Sequence, residues 1–178
     1  MTLLTTDRLI LRPPAAQDFD GYRAFYMSDR SRFAHGPLSE TDAWYAFCVE
    51  MAHWPMRGFG MFTVLAQTDP ETPIGLVGPW FPADWPEPEI GWLLWDGHEG
   101  QGYADEAARA CLIHAFGHLG WDTAVSYIHP ENAASTKLVE RLGAELDPHA
   151  RPAKPELLVW RHSRTYWVGE GAETGGAA

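Results

Sequence analysis

Apolar and polar positions alternate through Arg8-Leu9-Ile10-Leu11-Arg12, the period of a strand buried on one face, and Pro13-Pro14 stops it. The period then lengthens. Phe19, Tyr22, Ala24, Phe25 and Tyr26 crowd one side of a helix expected from about Ala16 to Ser28, before an irregular stretch through Gly36-Pro37. Ser39 with Asp42 three residues on resembles a capping box, so a second helix is expected from about Glu40 to Arg57, closed by Gly58. Met61 to Gln67 and Ile74 to Trp80 read as an antiparallel hairpin around a turn at Asp69 to Pro73. A loop stiffened by Pro82, Pro86 and Pro88 leads into a third strand, Ile90 to Trp95.

Helical spacing returns from Tyr103 to about Leu119, where Ala104, Ala107, Ala108, Cys111, Leu112 and Ala115 share a face that ends near Gly120. A strand from Thr123 to Ile128 follows. Next comes a helix capped by Asn132, with Leu138, Val139 and Leu142 turned inward before Gly143, and then a last strand from Glu156 to Arg161. The domain is expected over 1–168, and the small, aperiodic 169–178 segment reads as a mobile tail. Neither internal repeats nor a second domain is indicated.

A chain of 178 residues, 46% hydrophobic and 13% aromatic, is long enough to bury one continuous core. Its formal charge of -11 disfavours nucleic acid and anionic membranes and makes cationic acceptors the more natural partners. The start, Met1 to Asp7, lacks the basic and apolar regions of a signal peptide, and no stretch reaches membrane-spanning length. With only Cys48 and Cys111, both read as packing residues, a reducing cytoplasm is the expected location. His114 and His118 stand four apart on one helix, but no zincin Glu or third ligand accompanies them, so no metal is expected.

The informative stretch is Glu99-Gly100-Gln101-Gly102-Tyr103-Ala104, between a strand and a helix. Unpaired amides and the positive end of the helix dipole make such a turn an anion site, and glycine lets main chain approach a phosphate closely. No Lys-Ser or Lys-Thr follows, which excludes a Walker A loop. Asp105 stands where a dinucleotide fingerprint needs glycine. A diphosphate held on main chain in an α+β fold is the reading that survives; a tight turn without ligand is its structural alternative.

Four motifs in order are similar to those of the GNAT acetyltransferases: Glu89-Ile90-Gly91-Trp92-Leu93-Leu94, then Glu99 to Ala107, then His129-Pro130-Glu131-Asn132-Ala133-Ala134-Ser135, then Leu142-Gly143. The opening Thr6-Asp7-Arg8-Leu9-Ile10-Leu11-Arg12-Pro13 resembles the branch that includes the ribosomal-protein alanine N-acetyltransferases. The resemblance runs from Thr6 to about Arg161. It implies a single α+β domain with a central mixed, mostly antiparallel sheet, flanked by helices and splayed between Ile90–Trp95 and Thr123–Ile128. It further implies that the pantetheine arm of acetyl-CoA lies along Trp92, Leu93 and Leu94, with its pyrophosphate on Glu99, Gly100, Gln101, Gly102, Tyr103 and Ala104, and with Asn132 and Ser135 near the thiol. Glu99 stands where the family often has Gln or Arg, and the family's tyrosine acid falls on Val139, which leaves Ser135 as the substitute.

Acyl transfer to an amine requires removal of a proton, stabilisation of an oxyanion and protonation of the thiolate. Glu89 is the first candidate base, His129 the rival and Asp84 the third; a solvated strand-end carboxylate and a packing histidine are the plain readings of the first two. Ser135 is the candidate to protonate the thiolate, or else caps its helix. Trp80 and Trp85 are a candidate aromatic wall for the acceptor, or else loop packing. The expected activity is direct acetyl transfer from acetyl-CoA to a primary amine on a small molecule or protein N-terminus. The alternatives are a catalytically silent acyl-CoA-binding module and a different nucleotide-binding enzyme. The aromatic-rich surface segments suit a homodimer.

Overall fold

The computed structural model describes residues 3–169. One eight-stranded sheet runs through it, in the order β1 (Leu4–Thr5), β2 (Leu9–Arg12), β3 (Phe62–Ala66), β4 (Asp69–Trp80), β5 (Glu89–Leu94), β6 (Ala124–Ile128), β8 (Leu158–His162), β7 (Glu145–Leu146). Every neighbouring pair is antiparallel except β5 with β6. Five helices accompany the sheet: α1 (Phe19–Tyr26), α2 (Glu40–Arg57), α3 (Tyr103–Gly117), α4 (Ala133–Arg141) and α5 (Arg164–Val168).

Strand alternation sends successive side chains to opposite faces. Phe62, Val64 and Val77 join Leu9, Leu11, Ile90 and the buried face of α3 in one core, while Met61 and Leu76 join Tyr22, Phe25 and Tyr26 of α1 and Phe47 of α2 in the other. The cap pattern that predicts α2 is realised, Ser39 Oγ accepting from the Asp42 amide at 3.1 Å, and the helix buries Ala43, Phe47, Glu50 and His53. Gly58 ends it at φ 78°, a conformation natural to glycine.

The structure departs from the expected elements in several places. Asp69 to Pro73 is part of β4 rather than a turn. The hairpin reverses at Gln67-Thr68, and extra residues bulge between the pairs Ala66–Asp69 and Leu65–Pro73. Ala16–Asp18 and Asp29–Phe33 are short 3-10 turns, and β1, β7 and α5 are too short for periodicity to announce. Cys111 is buried, but Cys48 is exposed on α2 beside Trp44, Tyr45 and Met51, so only one of the two is a packing residue. Among the described residues no helix is long and apolar enough to cross a membrane. The tail expected over 169–178 lies, apart from Gly169, outside the described residues.

The feature that positions the site is the parallel junction. Among the described residues β5 and β6 share one Cα pair, Glu89 with Val125. Two further links reinforce this end: the Val125 amide donates to Pro88 O (3.0 Å) and Ser126 Oγ donates to Ile90 O (2.7 Å). Ser126 thereby uses its hydrogen on Ile90, so the buried His162, 3.0 Å away through Nε2, donates to Ser126 from its neutral tautomer. Burial pushes the His162 imidazole down to about 4, which keeps it neutral. Beyond this point the strands diverge.

Candidate active site

A cleft of about 1510 Å3 occupies the divergence, bordered by Gly100, Gly102 and Ala104 of the strand-to-helix turn, by β5, and by Glu50, Trp80 and Trp85. At the turn, Gly100 (φ 72°) and Gly102 (φ 81°) take left-handed conformations that bend main chain into the start of α3. The first helical bond runs from the Glu106 amide to Gly102 O (3.1 Å), so the amides just ahead of it lack intrahelical acceptors. No side chain caps this end. Arg8 braces the turn from outside: Nη1 donates to Gln101 O (3.0 Å), Nε pairs with Glu106 (2.6 Å), and the guanidinium lies over the Tyr103 ring at 4.9 Å. Gln101 turns its side chain back to Gly97 O (3.0 Å).

Glu99, whose charge would repel a phosphate, is ion-paired with Arg30, which also reaches Asp96 and donates to Leu94 O (3.2 Å). Arg30, Arg109, Lys137 and Arg141 also border the cleft. Arg109 and Arg141 both pair with Asp105, as Arg30 does with Glu99. Arg30 was invisible to motif reading, because it lies in the irregular segment before α2 and reaches the turn only through the fold.

Along β5 the main chain is divided by its pairing. The Trp95 amide donates to Ile74 O (2.9 Å), and the unbroken register from Gly75–Leu94 to Trp80–Glu89 then directs the amide and carbonyl groups of Gly91 and Leu93 to β4. Those of Trp92 and Leu94 face the gap. Trp92 also donates from Nε1 to Ser135 Oγ (3.0 Å), which leaves the hydroxyl hydrogen of Ser135 for another acceptor. Ser135 is held at the start of α4 by Asn132, whose Oδ1 accepts the Ser135 amide (3.2 Å). Both side chains border the cleft.

The far end is acidic and aromatic. Glu89 accepts from Trp85 Nε1 at 2.6 Å, and burial pushes its carboxyl up to about 7 against the pull of that bond and of a main-chain bond from Tyr127. Trp80 stacks on His53 at 4.2 Å, and His53 is locked by accepting the Phe81 amide at Nε2 (3.0 Å). A second acid, Glu50, borders the same space from α2; burial and the charge of Glu89 push it up to about 8. The intervals Ala43, Phe47, Glu50 place a glutamate on a helix's apolar face, the signal that reveals it.

His129 stacks on Phe33 at 5.1 Å and accepts the Glu131 amide at Nδ1 (3.2 Å), so a packing role already engages one face and one nitrogen, although it borders the cleft. Asp84 borders it too, exposed in the proline loop. The buried His114 stacks on the exposed His118 at 5.0 Å, and no cluster of three or more metal-ligating side chains occurs among the described residues.

Known proteins share this architecture. The acetyltransferase of Agrobacterium tumefaciens str. C58 is 42% identical, with a TM-score of 0.87 over 91% of this chain and 94% of its own. A putative GnaT-family acetyltransferase from Bordetella pertussis is 28% identical, with a TM-score of 0.75 over 92% of this chain and 100% of its own. YkkB of Bacillus subtilis (strain 168) is 42% identical over 72 residues, 40% of this chain and 42% of YkkB, so the chain spans about two-fifths of the curated relatives it matches. The acetyltransferase (GNAT) domain profile matches residues 8–145. With its strand-to-helix turn, its splayed sheet and that match in agreement, the chain belongs to the GNAT acetyltransferase family.

Proposed function

We propose that the protein transfers an acetyl group from acetyl-CoA to a primary amine by direct attack in a ternary complex. The observation that carries this reading is the β5–β6 gap, fastened at Glu89–Val125 and opening between the amide-rich turn at Gly100–Ala104 and the buried Glu89 carboxyl. The pyrophosphate takes the free amides at the start of α3, and the pantetheine arm pairs with the main chain of Trp92 and Leu94 as an added strand.

Four steps complete the reaction. Glu89 removes the proton of the acceptor ammonium, directly or through water, from a position where burial has brought its proton affinity near neutrality. The neutral amine attacks the thioester carbonyl, and the gap-facing amide of Trp92 stabilises the oxyanion. The tetrahedral intermediate collapses, breaking the C–S bond, and its nitrogen passes its second proton through water to restore the Ser135 hydroxyl as the amide product forms. Ser135 donates its free hydrogen to the departing thiolate while Trp92 Nε1 holds its oxygen.

The test is release of free thiol from acetyl-CoA across an amine panel, with acetyl-CoA binding measured in parallel. Acceptor-dependent release is expected. Tight binding without release from any amine would instead identify a silent binding module.

A further inference from the structure

Glu50 carries a buried carboxylate oxygen, Oε2, that meets no hydrogen-bond partner among the described residues. It is 5% exposed on the buried face of α2, and it borders the acceptor end of the cleft. The groups that act on it electrostatically are Glu89 from β5 and the Tyr22 and Tyr26 hydroxyls from α1. His53, one turn along α2, is held neutral by burial and by Arg57, and its Nε2 is occupied by the Phe81 amide. Among the described residues no cation acts on either acid.

A buried, unpaired acid is costly unless something that enters the site completes it. One ammonium satisfies one carboxyl; two carboxyls bordering one cleft suit a ligand with two. Tyr22, Tyr26 and Trp80 line the same region, and aromatic faces attract cations.

We infer that the acceptor carries a second basic nitrogen, held on the Glu50 carboxyl while the reacting amine lies at Glu89. The inference rests on the transfer reading above and narrows its substrate to a dibasic amine, with the two nitrogens joined by a short spacer. Glu50 is then a binding residue that selects the acceptor. It takes no part in bond making.

Thiol release is measured for alkylamines and for diamines of matched chain length, with wild type and Glu50→Gln. The wild type is expected to show kcat/KM at least about tenfold higher for one diamine than for its monoamine, the worth of one charge-assisted bond. In Glu50→Gln that ratio falls toward one, chiefly through KM of the diamine. Equal use of both amines by the wild type, or a preference that survives in Glu50→Gln, overturns the inference while leaving acetyl transfer standing. No release from any amine, with acetyl-CoA bound, removes the transfer reading and this inference with it. If Glu50→Gln does not fold, inhibition of the wild type by a fully methylated diamine and its monoamine analogue decides: tighter inhibition by the dication supports the inference, and equal inhibition overturns it.

Discussion

The two ends of the cleft are built from different materials. At the start of α3 the contacts offered are main-chain amides, and the side chains around them, Arg8 and Arg30, brace the turn and neutralise Glu99. At the other end the strand and helix backbones are paired, and the cleft is bordered by side chains: Glu50, Glu89, Trp80, Trp85. A main-chain site needs only a backbone path and tolerates many sequences, whereas a side-chain site changes with each substitution. In the proposed reaction the first end holds the donor and the second the acceptor.

Substitutions at each end should therefore separate the two substrates. The largest effect is expected from Glu89→Gln, which removes the base and lowers kcat by about 10²–10⁴-fold with acetyl-CoA affinity retained; steady-state thiol release and calorimetry read the two quantities. In the wild type kcat/KM rises with pH through about 7 as Glu89 ionises, and this limb disappears in the variant. At the donor end, Gly102→Ala places a Cβ in a left-handed conformation, near Arg8 Nη2 at 3.3 Å. Strain of about 1–2 kcal/mol should weaken acetyl-CoA binding about tenfold, leaving the KM for amine unchanged. Loss of amine affinity instead would break the division.

Ser135→Ala is expected to lower kcat about tenfold and to leave both affinities nearly intact. A fourth effect appears in stability. The folded-state affinities of Glu50 and Glu89 for protons are raised above the ordinary 4.5, so their contribution is full in acid and is lost as pH rises through about 7 to 8. Glu50→Gln should flatten that decline and raise Tm by about 3–6 °C on the alkaline side. Smallest is Ser126→Ala at the β5–β6 junction beside Glu89: losing its bond to Ile90 O costs about 1 kcal/mol, or about 2–4 °C in Tm.

Long-period patterns were readable because burial of a whole helix face leaves many residues in agreement. Other bounds come from caps: Ser39 with Asp42 and the closing Gly58 for α2, and Asn132 ahead of the inward Leu138, Val139 and Leu142 for α4. Asp69 to Pro73 misled because its polar, proline-containing composition is that of a turn, yet the chain had already reversed at Gln67-Thr68 and the bulge absorbs the extra residues. At the site, the glycines and Glu89 stand inside contiguous motifs. Arg30 and Glu50 do not; they reach the cleft from separate segments, and only tertiary packing brings them to Glu99 and Glu89.

The position of Glu89 at the one shared pair of β5 and β6 has a consequence for donor choice. Six residues of strand separate the closed corner of the gap from the approach to the phosphate turn, about 20 Å at the rise of an extended chain. In the proposed donor pose that rigid span works as a ruler, setting where along the strand the thioester at the end of a pantetheine arm comes to rest. On that proposal, the length of a single strand sets how far the donor reaches, independently of the chemistry of its acyl carbon.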